Sequence, residues 1–391
     1  MKGMIVISKT VEQYQVLFAN RFSAKRAFPF WKGRVALYAI LKAFGVKEGD
    51  EVVLPGYTCV MDVNPIKYLG ARPVYVDIEP DMFNINVNLL EEKITSKTKV
   101  IIAQHTYGYV CDMDAILEIA NRHNITVIED CCLCLGSTYK GKLAGTFGKA
   151  AYFSFQWNKP YTTGLGGMAI SHDDNLTESI AQLCERELVQ PSFKETAMLA
   201  AQLLVYRTFI YPRTTALAQA LFRWLTKKGV VVGSSSTCEF EPAMKNDFFK
   251  AISCIQAKSG LRQLKKIECN IAHRREMAKL YDEMLSEKGW TPRQYDSAVQ
   301  DPVMVRYPVR IKEKEKALAE AASAGVELGS WFECPLHPIE TPLEAYGYKI
   351  GMCPEAEKAC AEVVNLPLHP RVSEKTVKRT VDFITTFEKT E

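Results

Sequence analysis

Two apolar, strand-like runs of the sequence each end in side chains that can take part in chemistry. The first run delivers the carboxylate of Asp130, and the second delivers the hydroxyl of Ser154, with Gln156 and Lys159 close behind. In open α/β sheets, ligands bind at the carboxyl ends of the strands. We therefore expect an acid, a hydroxyl, an amide and an amine to lie close together. The two runs are residues 126–129 and 150–155.

The residues around Lys159 are mostly apolar. A lysine amine is a nucleophile only when it is uncharged, and burial among apolar groups penalises the charged form. This setting favours a reactive lysine over a solvated one. The apolar neighbours in sequence are Phe153, Phe155, Trp157 and Pro160.

Pyridoxal phosphate is the cofactor that requires this set of groups. It needs a lysine amine for its Schiff base and an acid that faces its pyridine nitrogen. Lys159 and Asp130 would fill these roles, because an ionised Asp130 would keep the nitrogen protonated and make the ring an electron sink. Ser154 is a candidate ligand of the phosphate. Alternatively, Asp130 and Lys159 are ordinary solvated residues, but their position after hydrophobic strands favours a functional role.

A glycine-rich run, TTGLGG at residues 162–167, comes after the lysine. It lacks the spacing of a dinucleotide-binding fingerprint, and a strand rather than a helix is expected after it. Its glycines would let the backbone pass close to a cofactor or to a partner subunit.

The composition is that of an ordinary globular protein. Of the 391 residues, 47% are hydrophobic and 24% are charged, which is enough apolar material for a large core. The length predicts two domains, or one large and one small. The net charge of +4 is small and dispersed, which argues against a nucleic-acid partner.

The twelve cysteines fit a reduced, cytoplasmic enzyme. They occur inside apolar runs such as residues 131–134, where cysteine serves as a small hydrophobic residue. That cluster lacks a second pair of ligands at the spacing of a zinc site, so we expect no metal. The first residues, MKGMIVISKT, contain no long apolar segment and no cleavage site of a signal peptide. We therefore expect a cytoplasmic location.

Strand-like and helix-like runs alternate along the first half of the chain, which predicts an α/β fold with a mainly parallel sheet and helices on both faces. The predicted strands are residues 51–54, 73–76 and 99–102, and the predicted helices are residues 33–44, 57–69, 87–94 and 112–123.

The region at about 187–245 predicts an inserted set of helices, with apolar stretches at 197–206 and 217–225. Neither stretch approaches the ~18–20 apolar residues of a membrane-spanning helix. We expect these helices to pack on the protein or on a second subunit. Docking on a membrane surface is the less favoured alternative.

The last third of the chain predicts a small α+β domain. A periodic stretch at 247–285 indicates one bent helix or two consecutive helices that lead into it. A strand at 304–311 and helices at 312–324 and 374–388 would come next. The predicted organisation is an N-terminal arm (1–30), a large cofactor-binding domain (31–245), a bridging helix (246–288) and a small C-terminal domain (289–391).

The stretch VIEDCCLCLGSTYKGKLAGTFGKAAYFSF, together with Lys159 and TTGLGG, resembles the DegT/DnrJ/StrS family of pyridoxal-phosphate-dependent sugar aminotransferases. The resemblance continues upstream in GDEVVLPGYTC and HTYGYVCDMDAI, and downstream in VNLPLHPRVSE. It covers most of the chain in the family's order, except for about residues 187–245. It implies the fold of type-I pyridoxal-phosphate transferases, similar to aspartate aminotransferase.

The resemblance implies where the phosphate and the ring of the cofactor bind. The family has Gly-Thr at the start of a phosphate-binding helix, where this chain has Gly33 and Arg34. A helix N-terminus suits a phosphate, and Arg34 would either add a charged contact or point to solvent. The aromatic residue that the family places over the ring falls at Cys59. Either the neighbouring Tyr57 stacks on the ring or a smaller group is tolerated.

Other positions match the family or depart from it. His105 aligns with a family histidine near the site, although a histidine after a buried strand is more often structural. Leu133 stands where a glutamine commonly contacts the cofactor, and Gln156-Trp157 replaces His-Pro. Asn246 is out of register with an asparagine that reaches the phosphate across the dimer. These changes bear on substrate identity and on contacts between subunits.

The resemblance implies transamination. Lys159 would hold the cofactor and then act as general acid and base, while an amino-acid donor, which we expect to be glutamate, supplies nitrogen to a nucleotide-linked keto sugar. A dehydratase branch of the family has histidine in place of this lysine, so Lys159 favours transamination. The family's sites are built from two subunits, which implies a homodimer. A lyase, a cyclitol aminotransferase and a non-catalytic cofactor-binding regulator stay open as alternatives.

Overall fold

The fold is built around one large sheet. The structure, a computed structural model, describes residues 8–157, 159–207, 243–291 and 295–390. The strands are β1 (Arg26–Phe30), β2 (Glu51–Pro55), β3 (Thr58–Cys59), β4 (Arg72–Val76), β5 (Thr98–Gln104), β6 (Thr126–Asp130), β7 (Thr138–Tyr139), β8 (Lys142–Leu143), β9 (Ala150–Ser154), β10 (Gly167–Ser171), β11 (Gln300–Asp301), β12 (Tyr307–Arg310), β13 (Leu336–His337) and β14 (Val363–Leu366).

Helices cover the sheet. They are α1 (Lys9–Arg21), α2 (Gly33–Ala43), α3 (Val60–Tyr68), α4 (Val87–Leu90), α5 (Met113–Arg122), α6 (Asp174–Glu187), α7 (Phe193–Val205), α8 (Cys254–Leu264), α9 (Ile267–Glu287), α10 (Lys314–Ala321), α11 (Pro354–Glu362) and α12 (Glu374–Ile384).

The large sheet has seven strands in the order β1-β10-β9-β6-β5-β2-β4. The five strands from β9 to β4 run parallel, whereas β10 runs antiparallel to both of its neighbours, β9 and β1. Both faces are buried, because alternate residues of β6 enter two different apolar cores: Ile128 lies in one and Val127 in the other. The predicted α/β fold with a mainly parallel sheet is confirmed.

The parallel strands bring the predicted polar groups to one edge. β5 ends at Gln104, β6 at Asp130 and β9 at Ser154. In register, Gln104 pairs with Asp130, and Asp130 with Tyr152. The residues after these strands therefore emerge side by side, as the position of the two apolar runs predicts.

The N-terminal segment belongs to the same body as the sheet. Strand β1 pairs with β10 along its whole length, and helix α1 packs on α8. Tyr14 and Phe18 of α1 are fully buried. Residues 26–30 therefore form an edge strand of the large sheet, although the sequence predicts that they belong to an N-terminal arm.

The predicted inserted region is described only in part. Helix α7 covers the first apolar stretch, whereas the predicted helix at 217–225 lies outside the described residues. The periodic stretch after it forms two consecutive helices, α8 and α9, one of the two predicted arrangements. None of the described helices is both long and apolar enough to cross a membrane.

The C-terminal part forms a small sheet of β12 and β14 with α10, α11 and α12 around it. It is joined to the side of the large sheet by β13, which pairs in parallel with β3 so that Leu336 faces Thr58 and His337 faces Cys59. The backbone N of Thr58 also donates to the carbonyl of Pro335 at 2.8 Å. This pairing holds the segment 331–337 over the carboxyl edge of the large sheet.

Candidate active site

Asp130 is fixed at the end of β6 by hydrogen bonds around it. Its Oδ1 accepts from the backbone N of Cys132 at 2.8 Å, and the residue is 3% exposed. Strand β9 places Tyr152 beside it, and the backbone N of Cys131 donates to the Tyr152 carbonyl at 2.9 Å. The carboxylate is therefore held in one position at the sheet edge.

Lys159 lies on a tight turn just after β9. Its backbone N donates to the carbonyl of Gln156 at 3.0 Å, and its Nζ lies 5.1 Å from the ring centroid of Trp331. Tyr161, two residues further on, donates its hydroxyl to the carbonyl of Gly260 at 2.7 Å. These bonds fasten the turn to helix α8 and leave the amine under an indole of the C-terminal part.

Helix α7 fastens the other side of the same turn. The hydroxyl of Tyr206 donates to the backbone carbonyl of Trp157 at 3.0 Å, and the two rings lie 4.9 Å apart. The indole of Trp157 is 6% exposed. Sequence reasoning found no signal for this contact, because it joins residues far apart in the chain. The buried members of this apolar cluster are Trp31, Trp157, Leu165, Leu199 and Leu203.

A second acid, Asp62, lies within electrostatic reach of both predicted catalytic residues. Its Oδ1 accepts from the hydroxyl of Tyr152 at 3.0 Å. Burial and then the carboxylate of Asp130 raise the pKa of Asp62 to about 8, against the opposing charges of Lys159 and Arg34. Three charged groups of the site, Asp130, Lys159 and Arg34, therefore act on this one carboxyl. Sequence reasoning missed Asp62, whose only signal was an acid in the first turn of a helix that begins at the sheet edge.

The N-terminus of α2 meets the end of β9. A Cβ on Gly33 would stand 2.7 Å from the Cβ of Ser154, so only glycine permits this approach. The Oγ of Ser154 is buried and has no hydrogen-bond partner among the described residues, and the N-cap residue Lys32 makes no side-chain capping bond. A buried hydroxyl that lacks a partner is costly, and a helix N-terminus attracts anions. These features fit the phosphate of pyridoxal phosphate.

Arg34 is buried beside this helix start, not exposed to solvent. It is 5% exposed, and its charge acts on the carboxyl of Asp62 and on the thiol of Cys59. The alternative that Arg34 points to solvent is therefore wrong. A guanidinium at a helix N-terminus strengthens the attraction of this position for a phosphate.

Of the two residues expected near the ring, the structure puts Cys59 closer to the site's charges. Burial and the carboxylate of Asp62 raise the pKa of the Cys59 thiol to about 12, while Lys159 lowers it. Tyr57 instead lies in a buried aromatic cluster, where its hydroxyl lies 2.8 Å from that of Tyr107 and accepts from the backbone N of Phe332 at 3.2 Å.

The positions that depart from the family pattern have different environments. Leu133 is 6% exposed and belongs to the larger apolar core. Gln156 is partly buried and contributes its carbonyl to the lysine turn. Asn246 is exposed. Of these three, Gln156 alone contacts the turn that carries Lys159.

The C-terminal part closes the site with Trp331 and His337. The two rings lie 6.4 Å apart, and the Trp331 ring also faces the amine of Lys159. Burial lowers the pKa of His337 to about 4, despite the nearby carboxylates of Glu333 and Glu340, so the imidazole is neutral at neutral pH. Sequence reasoning missed both residues, because they lie about 170 positions after the lysine.

His105 has a structural environment. Its Nε2 lies 3.0 Å from Oε2 of Glu129, and its Nδ1 accepts from the backbone N of Cys111 at 3.2 Å. Burial raises the pKa of Glu129. The hydrogen bonds from His105 and from backbone amides, including that of Gly148, outweigh this effect and leave the pKa of Glu129 below its usual range. This buried pair holds the end of β6 rather than facing Lys159.

The sulfur atoms of Cys131 and Cys134 lie near the ring of His105, with all three potential ligand atoms within 4.8 Å of one another. Both nitrogens of His105 are already hydrogen-bonded, to Glu129 and to the Cys111 amide. Burial raises the pKa of both thiols. The two cysteines are therefore buried thiols that pack as small apolar side chains.

The sequence model of the DegT/DnrJ/EryC1/StrS aminotransferase family matches residues 2–202 and 218–385. The chain belongs to this family. The family resemblance and the aminotransferase class predicted from the sequence are confirmed. Only 203–217 falls outside the match between its ends, so the segment without a family counterpart is narrower than the expected 187–245.

Two relatives of this aminotransferase are similar over nearly the whole chain. GDP-perosamine synthase of Caulobacter vibrioides is 30% identical over 383 residues, which cover 96% of this chain and 89% of that protein. The UDP-2-acetamido-2-deoxy-3-oxo-D-glucuronate aminotransferase of Pseudomonas aeruginosa is 30% identical over 378 residues, which cover 96% and 90%.

The fold of the aminotransferase also matches solved structures. The aminotransferase TlmJ of Streptoalloteichus hindustanus superposes with a TM-score of 0.75 and 24% identity, over 97% of this chain and 90% of that one. The predicted fold class is therefore confirmed.

Proposed function

We propose that this protein uses pyridoxal phosphate to move an amino group from an amino acid, which we expect to be glutamate, to a keto sugar carried on a nucleotide. The acceptor class is supported by the names of the two relatives, one acting in GDP-sugar and one in UDP-sugar chemistry. The observation that carries the proposal is the meeting of Asp130, Lys159 and the Ser154 hydroxyl at one sheet edge. The protein works in the cytoplasm as a homodimer.

The residues of the site have distinct tasks. Pyridoxal phosphate, when bound, carries nitrogen between the two substrates and accepts the electron pair left when a substrate carbon loses its proton. Ser154, Gly33 and Arg34 bind its phosphate at the start of α2. Asp130, held by the Cys132 amide, would face the ring nitrogen and keep that nitrogen protonated.

Lys159 does the proton transfer. Its amine would hold the cofactor covalently, and the freed amine would act first as general base and then as general acid for the proton on the substrate carbon. The backbone bond to Gln156 and the apolar cluster around Trp157 hold the turn that carries this amine in one position. The ring of Trp331 lies 5.1 Å from this amine. We expect Cys59, rather than Tyr57, to face the cofactor ring, because Cys59 senses the charge of Lys159.

Reduction with borohydride tests the covalent role of Lys159. The protein is incubated with pyridoxal phosphate, reduced, digested and mapped by mass spectrometry. We expect the label on Lys159, and none in Lys159→Ala. A label on another lysine, or a protein that never takes up the cofactor, would refute the proposal.

Two half-reactions test the chemistry itself. Glutamate should convert the absorption of the lysine-bound cofactor into that of its amine form within a single turnover. A panel of nucleotide-linked keto sugars, read by mass, should then identify the acceptor. Cofactor binding without conversion by any donor would favour a regulator, and conversion without transfer to any sugar or cyclitol would favour a lyase.

A further inference from the structure

A second cation, Arg306, contacts the same indole as the amine of the site. Its Cζ lies 5.1 Å from the centroid of the Trp331 ring, the same distance at which the Nζ of Lys159 lies from that ring. The guanidinium is thus one indole away from the reacting amine. It comes from the C-terminal part, directly before β12, and the tasks assigned above to the site's residues do not involve it.

Among the residues that the structure describes, the guanidinium of Arg306 makes no hydrogen bond and no ion pair; its contact is the stacking on Trp331. The nearest acid, Glu327, is already bonded to His369 at 3.0 Å. Burial lowers the pKa of Arg306, with Glu327 acting against this. A largely buried cation without an ion pair is unfavourable unless a ligand supplies the opposite charge.

Gly329 makes room for this guanidinium. A Cβ at position 329 would overlap Nη1 of Arg306 and stand 3.0 Å from its Cζ. The same Cβ would stand 3.2 Å from the Cβ of Asn365, so both side chains border the space beside Gly329. The backbones of Gly329 and Asn365 are paired at 2.8 and 2.9 Å, which fixes this arrangement.

Asn365 offers a second donor at this place. The residue is fully buried, its Oδ1 accepts from the backbone N of Trp331 at 2.8 Å, and its Nδ2 has no hydrogen-bond partner among the described residues. A buried amide donor is seldom left without an acceptor. A guanidinium and an amide N–H beside one glycine form the donor set that a planar carboxylate accepts.

We propose that Arg306 and Asn365 bind a carboxylate of the substrate beside Lys159. The inference rests on the proposed function, because it requires a substrate whose reacting nitrogen or carbonyl lies at the Lys159 amine. Two substrates can carry this carboxylate. An amino-acid donor bears one on the carbon that carries nitrogen and, if dicarboxylic, a second one; an acidic keto sugar bears one on its ring.

Calorimetry with unreactive acids tests the site. Glutarate stands in for a dicarboxylic donor and glucuronate for an acidic sugar, with glutaramide and glucose as neutral counterparts. We expect the cofactor-loaded wild type to bind at least one acid, and Arg306→Met to weaken that binding by about 10- to 100-fold, the effect of losing a hydrogen-bonded charge. Loss of glutarate binding assigns the carboxylate to the donor, and loss of glucuronate binding assigns it to the acceptor.

Two further variants guard against a mere folding defect. Gly329→Ala keeps the charge of Arg306 but displaces its guanidinium, and we expect it to weaken acid binding in the same direction. Arg379→Met removes an exposed arginine of the same part of the chain, whose Nη1 lies 3.5 Å from the carbonyl of Gly325, and should leave binding unchanged. Circular dichroism checks the fold of each variant.

The outcomes separate this proposal from the proposed function. If the wild type binds neither acid, or if Arg306→Met and wild type bind both acids equally, Arg306 and Asn365 form no carboxylate site. Borohydride labelling of Lys159 and conversion by glutamate in the wild type would still support an aminotransferase. If labelling and conversion both fail, the proposed function is wrong.

Discussion

The reactive groups of this aminotransferase are held by neighbours that leave them little freedom. Asp130 is bonded to the Cys132 amide, and Lys159 sits on a turn whose flanking residues are bonded to α7 and α8. Such support matters because catalytic groups must keep productive geometry without reorganising at each turnover. At the scale of single side chains, Ser154 and Asp62 are the residues whose replacement is most informative.

The serine is expected to contact the cofactor's phosphate. We expect Ser154→Ala to weaken pyridoxal phosphate binding by about 10-fold, because a hydrogen bond to a charged group is lost while the fold is kept. A spectroscopic titration of the cofactor-free protein measures the dissociation constant. Ser323→Ala, at an exposed serine bonded to the Glu320 carbonyl, is the control. Unchanged affinity in Ser154→Ala would mean that its hydroxyl does not contact the phosphate.

The buried acid Asp62 couples stability to pH. Its pKa rises from 3.8 to about 8 in the folded protein, so the folded state binds the proton more tightly than the unfolded chain does. Its contribution to stability is therefore present below pH ~4 and is lost as the pH rises toward 8. Each unit of pKa difference is worth about 1.4 kcal/mol.

We therefore expect the melting temperature of the cofactor-free protein to fall between about pH 5 and 8, and to fall less in Asp62→Asn. Differential scanning calorimetry at several pH values measures this. Asp174→Asn serves as the control, since this exposed acid pairs with Lys25 at the surface. Parallel pH profiles in wild type and Asp62→Asn would contradict the raised pKa.

At the scale of elements, helix α7 stabilises the turn that carries Lys159. It is itself anchored by a capping box, in which Ser192 and Glu195 bond each other's backbone, and by an ion pair between Glu195 and Lys250 at 2.5 Å. Its far end carries Tyr206 to the carbonyl of Trp157. A substitution in α7 should therefore change the position of the turn that carries Lys159.

We expect Tyr206→Phe to slow conversion of the bound cofactor by glutamate by about 3- to 10-fold, because one bond of about 1 kcal/mol no longer holds the turn. A stopped-flow single-turnover experiment measures the rate. Tyr281→Phe is a matched control, since its buried hydroxyl lies 3.3 Å from the carbonyl of Pro367. If the two variants change stability and conversion rate equally, the bond from Tyr206 has no specific effect on Lys159.

At the scale of the whole molecule, the site depends on how the two parts of the chain meet. Strand β13 joins β3, and this contact brings Trp331 and His337 over an amine that belongs to the large sheet. The pairing of β13 with β3 spans only two residues of each strand. The contact between the two parts of the chain therefore depends mainly on the side chains of residues 331–337.

We expect the purified protein to sediment with twice the mass of one chain, as the family's two-subunit sites imply. Sedimentation velocity over a range of concentrations measures this, with and without pyridoxal phosphate. A monomer that still converts its cofactor with glutamate would show that one chain suffices.

The sequence by itself determined the sheet, the strand ends and the reacting pair. Hydrophobic runs fix β6 and β9 locally, and parallel strands bring the residues just beyond them to one edge, so Asp130 and Lys159 could be named from spacing and residue type. The tertiary structure alone decided the surroundings. Asp62, Trp331 and Arg306 lie near the amine only because distant segments meet there, and no local pattern encodes such contacts.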